Sequence, residues 1–167
     1  LLVAAGPDDD PHWSFQSPKR PAVPEPEKLK EGKRVRNPID TFLFRKLKEQ
    51  GLSPAPEADK RTLVRRAYFD LLGLPPTPKQ VERFVNDESS EAWPKLINEL
   101  LESLQYGERW GRHWLDVVRY ADSGGYETDM YLRNAWRYRD YVVRSMNADK
   151  PYDRFIQEQI AADELWP

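Results

Sequence analysis

The chain has no cysteine and only two histidines, His12 and His113, in 167 residues. Without cysteine there is no disulfide, no thiol nucleophile, no thiolate zinc or iron–sulfur ligation, and no covalent haem attachment through C-x-x-C-H. Two histidines exclude a three-histidine catalytic zinc within one chain. An excess of one charge is also lacking: 26 basic against 28 acidic side chains leave a net charge of −2. No global field therefore draws nucleic acid or anionic lipid, and neither is expected as a partner. Glycine-rich phosphate motifs are missing, neither G-x-G-x-x-G nor a P-loop lysine being present, so no nucleotide cofactor is indicated. No apolar run approaches the roughly 20 residues that span a bilayer. Leu1 to Gly6 is apolar but gives way at once to Pro7 and Asp8 to Asp10. That opening fits a linker fragment or the tail of a signal-peptide apolar region, not a membrane span.

Proline is plentiful, and its placement divides the chain. Residues 7–36 hold six of the 15 prolines among alternating Lys, Arg and Glu, a composition suited to an extended arm. Trp13 and Phe15 are large apolar groups in that polar arm and are expected to dock on the globular body. From residue 37 the punctuation is helical. Asn37-Pro38-Ile39-Asp40 supplies a cap, a first-turn proline and an early acid, and Gly51 a stop. Asp59 caps a second helix whose Leu63, Val64, Ala67, Tyr68, Leu71 and Leu72 recur at helical spacing up to Gly73. Thr77-Pro78-Lys79-Gln80 reads as a capping box, and Ser90 opens a further helix with Pro94 late in its first turn. Helices over 107–121, 134–147 and 151–164 follow, and no useful segment alternates with period two. The pattern predicts an all-α, single-domain helical bundle of about seven helices, residues 37–167, behind a proline-rich arm, residues 1–36.

Chemistry-bearing residues concentrate in the second half. On a helix, Arg109, His113, Asp116 and Tyr120 fall within about 60° of one another, beside an apolar stripe of Trp110, Trp114, Val117 and Ala121. His113 and Asp116, three apart, are spaced to hydrogen-bond as an acid–base pair does; the same spacing serves a packing polar pair. The loop Asp122-Ser123-Gly124-Gly125-Tyr126-Glu127-Thr128-Asp129 carries three carboxylates and two hydroxyls. Oxygen ligands of that kind suit calcium, although the loop fails the EF-hand template and also reads as a solvated turn. Asp116, Asp122 and Glu127 are the acids to nominate for glycoside chemistry. Tyr126 and Trp136 offer faces for a sugar, as they equally offer bulk for a core. Arg137, Asp140 and Arg144 form an intrahelical ladder, and Arg137 with Arg139 could clamp an anion. Gln159 and Asp163 share the apolar side of the last helix, with the preceding arginines as expected partners.

Several long motifs, in order, carry a family resemblance. Tyr106-Gly107-Glu108-Arg109-Trp110, His113-Trp114-Leu115-Asp116-Val117-Val118-Arg119-Tyr120-Ala121-Asp122 and Gly125-Tyr126-Glu127 resemble the signature of a planctomycete cytochrome-c-associated domain of unknown function. Trp13-Ser14-Phe15-Gln16, Gly73-Leu74-Pro75-Pro76-Thr77-Pro78, Trp136-Arg137-Tyr138-Arg139-Asp140-Tyr141 and Asn147-Ala148-Asp149-Lys150-Pro151-Tyr152 fit the same pattern. The resemblance implies a secreted or periplasmic protein in which this domain follows a c-type cytochrome domain, so that any haem lies on a neighbouring domain. It supplies no established catalytic residues. The chain departs from the pattern at Gly111, where alanine is usual, at Ala162, where glycine is expected, and by stopping at Trp166-Pro167, as a fragment would.

Three readings of function result. The first is a non-catalytic or accessory helical module of a larger extracytoplasmic protein, partnered by its neighbouring domains. The second is a glycan-acting enzyme using Asp116, Asp122 and Glu127 near His113, with Arg109, Tyr120, Tyr126, Trp136, Arg137 and Asp140 binding substrate. The third is an electron-transfer docking surface. No cofactor or metal site is assigned within the chain.

Overall fold

A computed structural model describes residues 12–24, 35–127 and 129–165, the Trp13 side chain excepted. Among the described residues there are seven α-helices and no strand beyond one isolated bridge: α1 (Pro38–Glu49), α2 (Lys60–Leu72), α3 (Pro78–Asn86), α4 (Ala92–Leu101), α5 (Leu104–Val117), α6 (Ala135–Asn147) and α7 (Tyr152–Leu165). The all-α class follows the sequence pattern. Two compact units divide the chain, Leu1–Pro56 and Glu57–Pro167. Helix α1 falls in the first of these and α2 to α7 in the second.

In the first unit, Asn37 caps α1 through its side chain and Asp40 returns the bond, a capping box with Pro38 in the first turn. Gly51, at φ 67°, ends the helix. Phe15 is 84% exposed. Its three-residue 3-10 turn, Trp13–Phe15, is closed locally by the Phe15 N–H to the His12 carbonyl. The Trp13 side chain lies outside the described residues.

The second unit has two packed regions. Val64, Ala67 and Tyr68 of α2 meet Phe84 of α3 and Ala92, Leu96 and Leu100 of α4 in one apolar core. Asp59 and Thr77 cap α2 and α3 as their spacing requires. Lys60 reaches across from α2 to the C-terminal end of α3, donating to the carbonyls of Val85 and Asp87 at 3.1 and 2.6 Å. A cation there complements the helix dipole and satisfies carbonyls that lack helical partners. Helix α4 begins at Ala92, two residues later than Ser90 suggests, and no side chain caps it.

The second region is the antiparallel α5–α6 pair, closed by α7. Gly107 and Gly111 of α5 face Asn147, Val143 and Val142 of α6, and Val142 is fully buried. A Cβ on Gly107 would lie 2.5 Å from both the Asn147 side chain and the Val143 carbonyl oxygen. Only a missing side chain lets the backbones come this close. The cap that Ser103 does not provide at the start of α5 comes from Asn147, whose Oδ1 accepts from the Gly107 N–H at 2.7 Å while its Nδ2 donates to the Leu104 carbonyl. Phe155 of α7 packs edge-on to Trp114 and flat against Tyr141, with ring centroids 4.9 and 5.8 Å apart. A break at Ala161 (φ −148°, ψ 39°) interrupts α7.

Candidate functional site

Helix α5 stops at Val117, four residues before the expected end at 121. Arg119 takes φ 56°, its N–H bonds the Asp116 carbonyl, and the Tyr120 N–H bonds that of Leu115. This is a Schellman closure, built here on an arginine in the left-handed region where glycine is usual. Tyr120 therefore leaves the proposed ridge of Arg109, His113 and Asp116. Its hydroxyl donates to Asp122 Oδ1 at 2.6 Å, and its ring stacks on Tyr138. The bond to the Asp122 carboxylate raises the Tyr120 pKa, since the phenol must stay protonated to donate.

The expected His113–Asp116 pair is not formed. His113 is exposed and its ring rests on Trp110 one turn back, with centroids 5.4 Å apart, and Asp116 is exposed. Arg109 is half-buried, with its stem over Gly73: a Cβ there would meet Arg109 Cδ at 2.8 Å. Its buried Nε has no hydrogen-bond partner among the described residues. The apolar stripe is also uneven, because Trp114 turns inward while Trp110 and Val117 stay exposed.

Asp122 opens a short hairpin. Leu132 N–H bonds the Asp122 carbonyl at 2.7 Å, Gly124 N–H bonds that of Met130, and Ser123 bridges Tyr131. Gly125, Tyr126 and Asp129 all have positive φ, and Gly125 N–H bonds Asp129 Oδ1. Thr128 lies outside the described residues. Glu127 is exposed, and Tyr126, 94% exposed, is the extreme tip. Among the described residues no three acidic or histidine side chains gather as a metal site.

Trp136 and Arg137 open α6, the guanidinium 5.6 Å from the indole centroid. The Arg137–Asp140–Arg144 ladder is replaced by a neighbour pair: Asp140 accepts from Arg139 Nε and Nη2 at 3.1 and 3.0 Å. Arg139 is thereby held in its charged form. Of the ten residues nominated from sequence, the structure brings together Tyr120 with Asp122 and Trp136 with Arg137. Arg139, which Asp140 holds, also lies near enough to Tyr120 and Asp122 to interact with their charges, and among the described residues no hydrogen bond or ion pair joins the rest to one another.

The most connected polar groups lie elsewhere, between α5, α6 and α7. Trp114 Nε1 donates to the Tyr138 hydroxyl and to Gln159 Oε1 at 2.9 and 3.1 Å, and Tyr138 donates to the same Gln159 oxygen. Gln159 thus pairs with aromatic side chains rather than the arginines expected, because Trp114 and Tyr138 project into the helix contact. Glu158 accepts from Lys150, from Tyr141 at 2.9 Å and from Arg154 at 2.8 Å. The Lys150 bond above all, with those of Tyr141 and Arg154, lowers the Glu158 pKa to about 2. Burial, then the bond to Glu158, pushes Tyr141 up to about 12. Sequence reasoning missed this cluster, since Tyr141 and Glu158 are 17 residues apart and share no helical spacing.

These observations define an all-α protein whose α5, α6 and α7 meet through an aromatic–polar contact, and whose sequence, without cysteine, has no thiol chemistry. The chain belongs to the PSCyt2 family, described as protein of unknown function (DUF1549), whose model it matches over residues 38–167. Neither a curated protein nor a solved structure matches it.

Proposed function

We propose that the chain is a non-catalytic helical module of a larger extracytoplasmic protein, docking a neighbouring domain of the c-type cytochrome or polysaccharide-processing kind. The observation that carries this reading is the exposure of the acid–base residues. Asp116, Asp122, Glu127 and His113 are all solvent-exposed, with Asp122 accepting from the Tyr120 hydroxyl and the His113 ring resting on Trp110. General acid–base chemistry relies on groups whose pKa is tuned by burial or by close charges, facing a common cavity. The half-buried polar side chains of Trp114, Tyr138, Tyr141, Glu158 and Gln159 instead join helices, which suits a scaffold.

The glycan reading keeps one supporting observation, the exposed rings of Tyr126 and Trp136, surfaces on which a sugar can stack. The two readings separate in the full-length protein carrying Asp116→Asn, Asp122→Asn or Glu127→Gln one at a time. Reducing ends released from defined polysaccharides are measured. The docking reading expects the same activity in all three as in the parent. Loss of turnover in any one of them would assign the acid a catalytic role and end the docking reading.

A further inference from the structure

The face of the α5–α6 pair that carries Arg112 and Arg144 holds an open groove of about 670 Å³. Leu104, Leu115 and Val143 line it with apolar surface, and Leu104 is 74% exposed. Three arginines border it, Arg112 from α5 and Arg139 and Arg144 from α6, against two acids, Glu108 and Asp140. Asp140 is already taken by Arg139, and neither Arg112 nor Arg144 is ion-paired among the described residues. The groove therefore has an apolar lining and a surplus of positive charge in a chain whose net charge is −2.

We propose that this groove binds an acidic amphipathic helix of a partner protein. The inference rests on the docking reading and names the surface and the chemistry of what docks. Two antiparallel helices leave between them a channel that a third helix fills, laying apolar anchors at i, i+3 or i+4 and i+7 onto the floor. Leu104 to Leu115 spans about 16 Å of α5 at 1.5 Å per residue, room for three turns of a partner. Carboxylates flanking those anchors meet Arg112 and Arg144, and guanidinium forks bind carboxylates by paired hydrogen bonds. A basic helix would face Arg112 and Arg144 instead and be repelled.

The probes are two synthetic amphipathic peptides of about fifteen residues, with Leu anchors at helical spacing and either Glu or Lys on the flanks. Titrated into the whole chain, the Glu peptide is expected to bind at least tenfold more tightly than the Lys peptide, and more weakly as salt rises. Arg112→Glu with Arg144→Glu is expected to invert that preference. Should the doubly reversed chain not fold, amide shifts in the parent answer the same question: the Glu peptide perturbs residues lining the α5–α6 groove. Equal binding of both peptides, an unchanged preference in the reversed chain, or shifts confined to other helices overturn the groove assignment. The docking reading does not fall with it, since that reading is decided by the turnover assay.

Discussion

Replacing Gly107 by alanine tests the central packing argument, because a second glycine one turn along provides an internal control. A Cβ at position 107 meets the Val143 carbonyl oxygen and the Asn147 side chain at 2.5 Å, a contact that backbone atoms cannot relieve without moving α6. Overpacking of that kind costs about 1–3 kcal/mol. Displacing Asn147 also gives up its bond to the Gly107 N–H, about 1 kcal/mol. Alanine returns about 1 kcal/mol of helix propensity, which leaves Gly107→Ala destabilised by about 1–3 kcal/mol. At Gly111 the new methyl would meet Val143 Cγ2 at 3.3 Å, and a side-chain methyl can give by the small distance needed. There the propensity gain decides the sign, and Gly111→Ala is expected to be neutral or up to about 1 kcal/mol more stable. Urea unfolding followed by far-ultraviolet circular dichroism gives both midpoints. Equal stability of the two variants would refute the close approach of α5 and α6 at Gly107.

The remaining expectations concern charge, caps and the exposed acids. Glu158 has its pKa depressed to about 2 in the folded chain, so the stability from its pairing is present above the ordinary carboxylate pKa and is lost as pH falls from about 4.5 toward 2. Glu158→Gln should flatten the acid limb of a plot of unfolding midpoint against pH, and an unchanged limb would contradict the cluster. Tyr141, pushed up to about 12, contributes in the opposite direction: its share is complete below pH 10 and disappears as pH rises toward 12. Tyr141→Phe should remove that alkaline loss. Arg119→Gly relieves left-handed strain of about 1–2 kcal/mol at the end of α5 against about 0.5–1 kcal/mol of added chain entropy, so a change between neutral and a gain of about 1.5 kcal/mol is expected in thermal unfolding. A loss of stability there would contradict the closure. Asp116→Asn should leave stability within about 0.5 kcal/mol of the parent, as befits an exposed group; a larger change would reveal a partner.

The local code of this chain is legible without coordinates. Asn37, Asp59 and Thr77 cap helices as their side chains and spacing demand, and Gly51 and Gly73 end them, because each device acts within a few residues. The all-α class follows from the same signals. Where local preference misleads, a neighbour in space has intervened. Period alone carries α5 on to residue 121, yet a closure on Arg119 ends it at Val117, and Asn147, 40 residues away, caps its start.

The same distinction governs the polar residues. Sequence spacing proposed His113 with Asp116 and Asp140 with Arg137, since i, i+3 neighbours share a helix face. In the folded chain His113 rests on Trp110 and Asp140 turns to Arg139, because ring contact and a two-pronged guanidinium bond are available to them. Composition by itself determined what chemistry is absent, namely thiol, disulfide and covalent haem, for no fold can supply a missing side chain. Only the tertiary structure decided that Glu158 gathers Lys150, Tyr141 and Arg154, and that Arg112 and Arg144 border one groove. Tyr141 stands on α6, Lys150 between α6 and α7, and Arg112 and Arg144 on α5 and α6, so apart from the Arg154–Glu158 pair within α7 their meeting is set by how the helices pack and not by spacing along the chain.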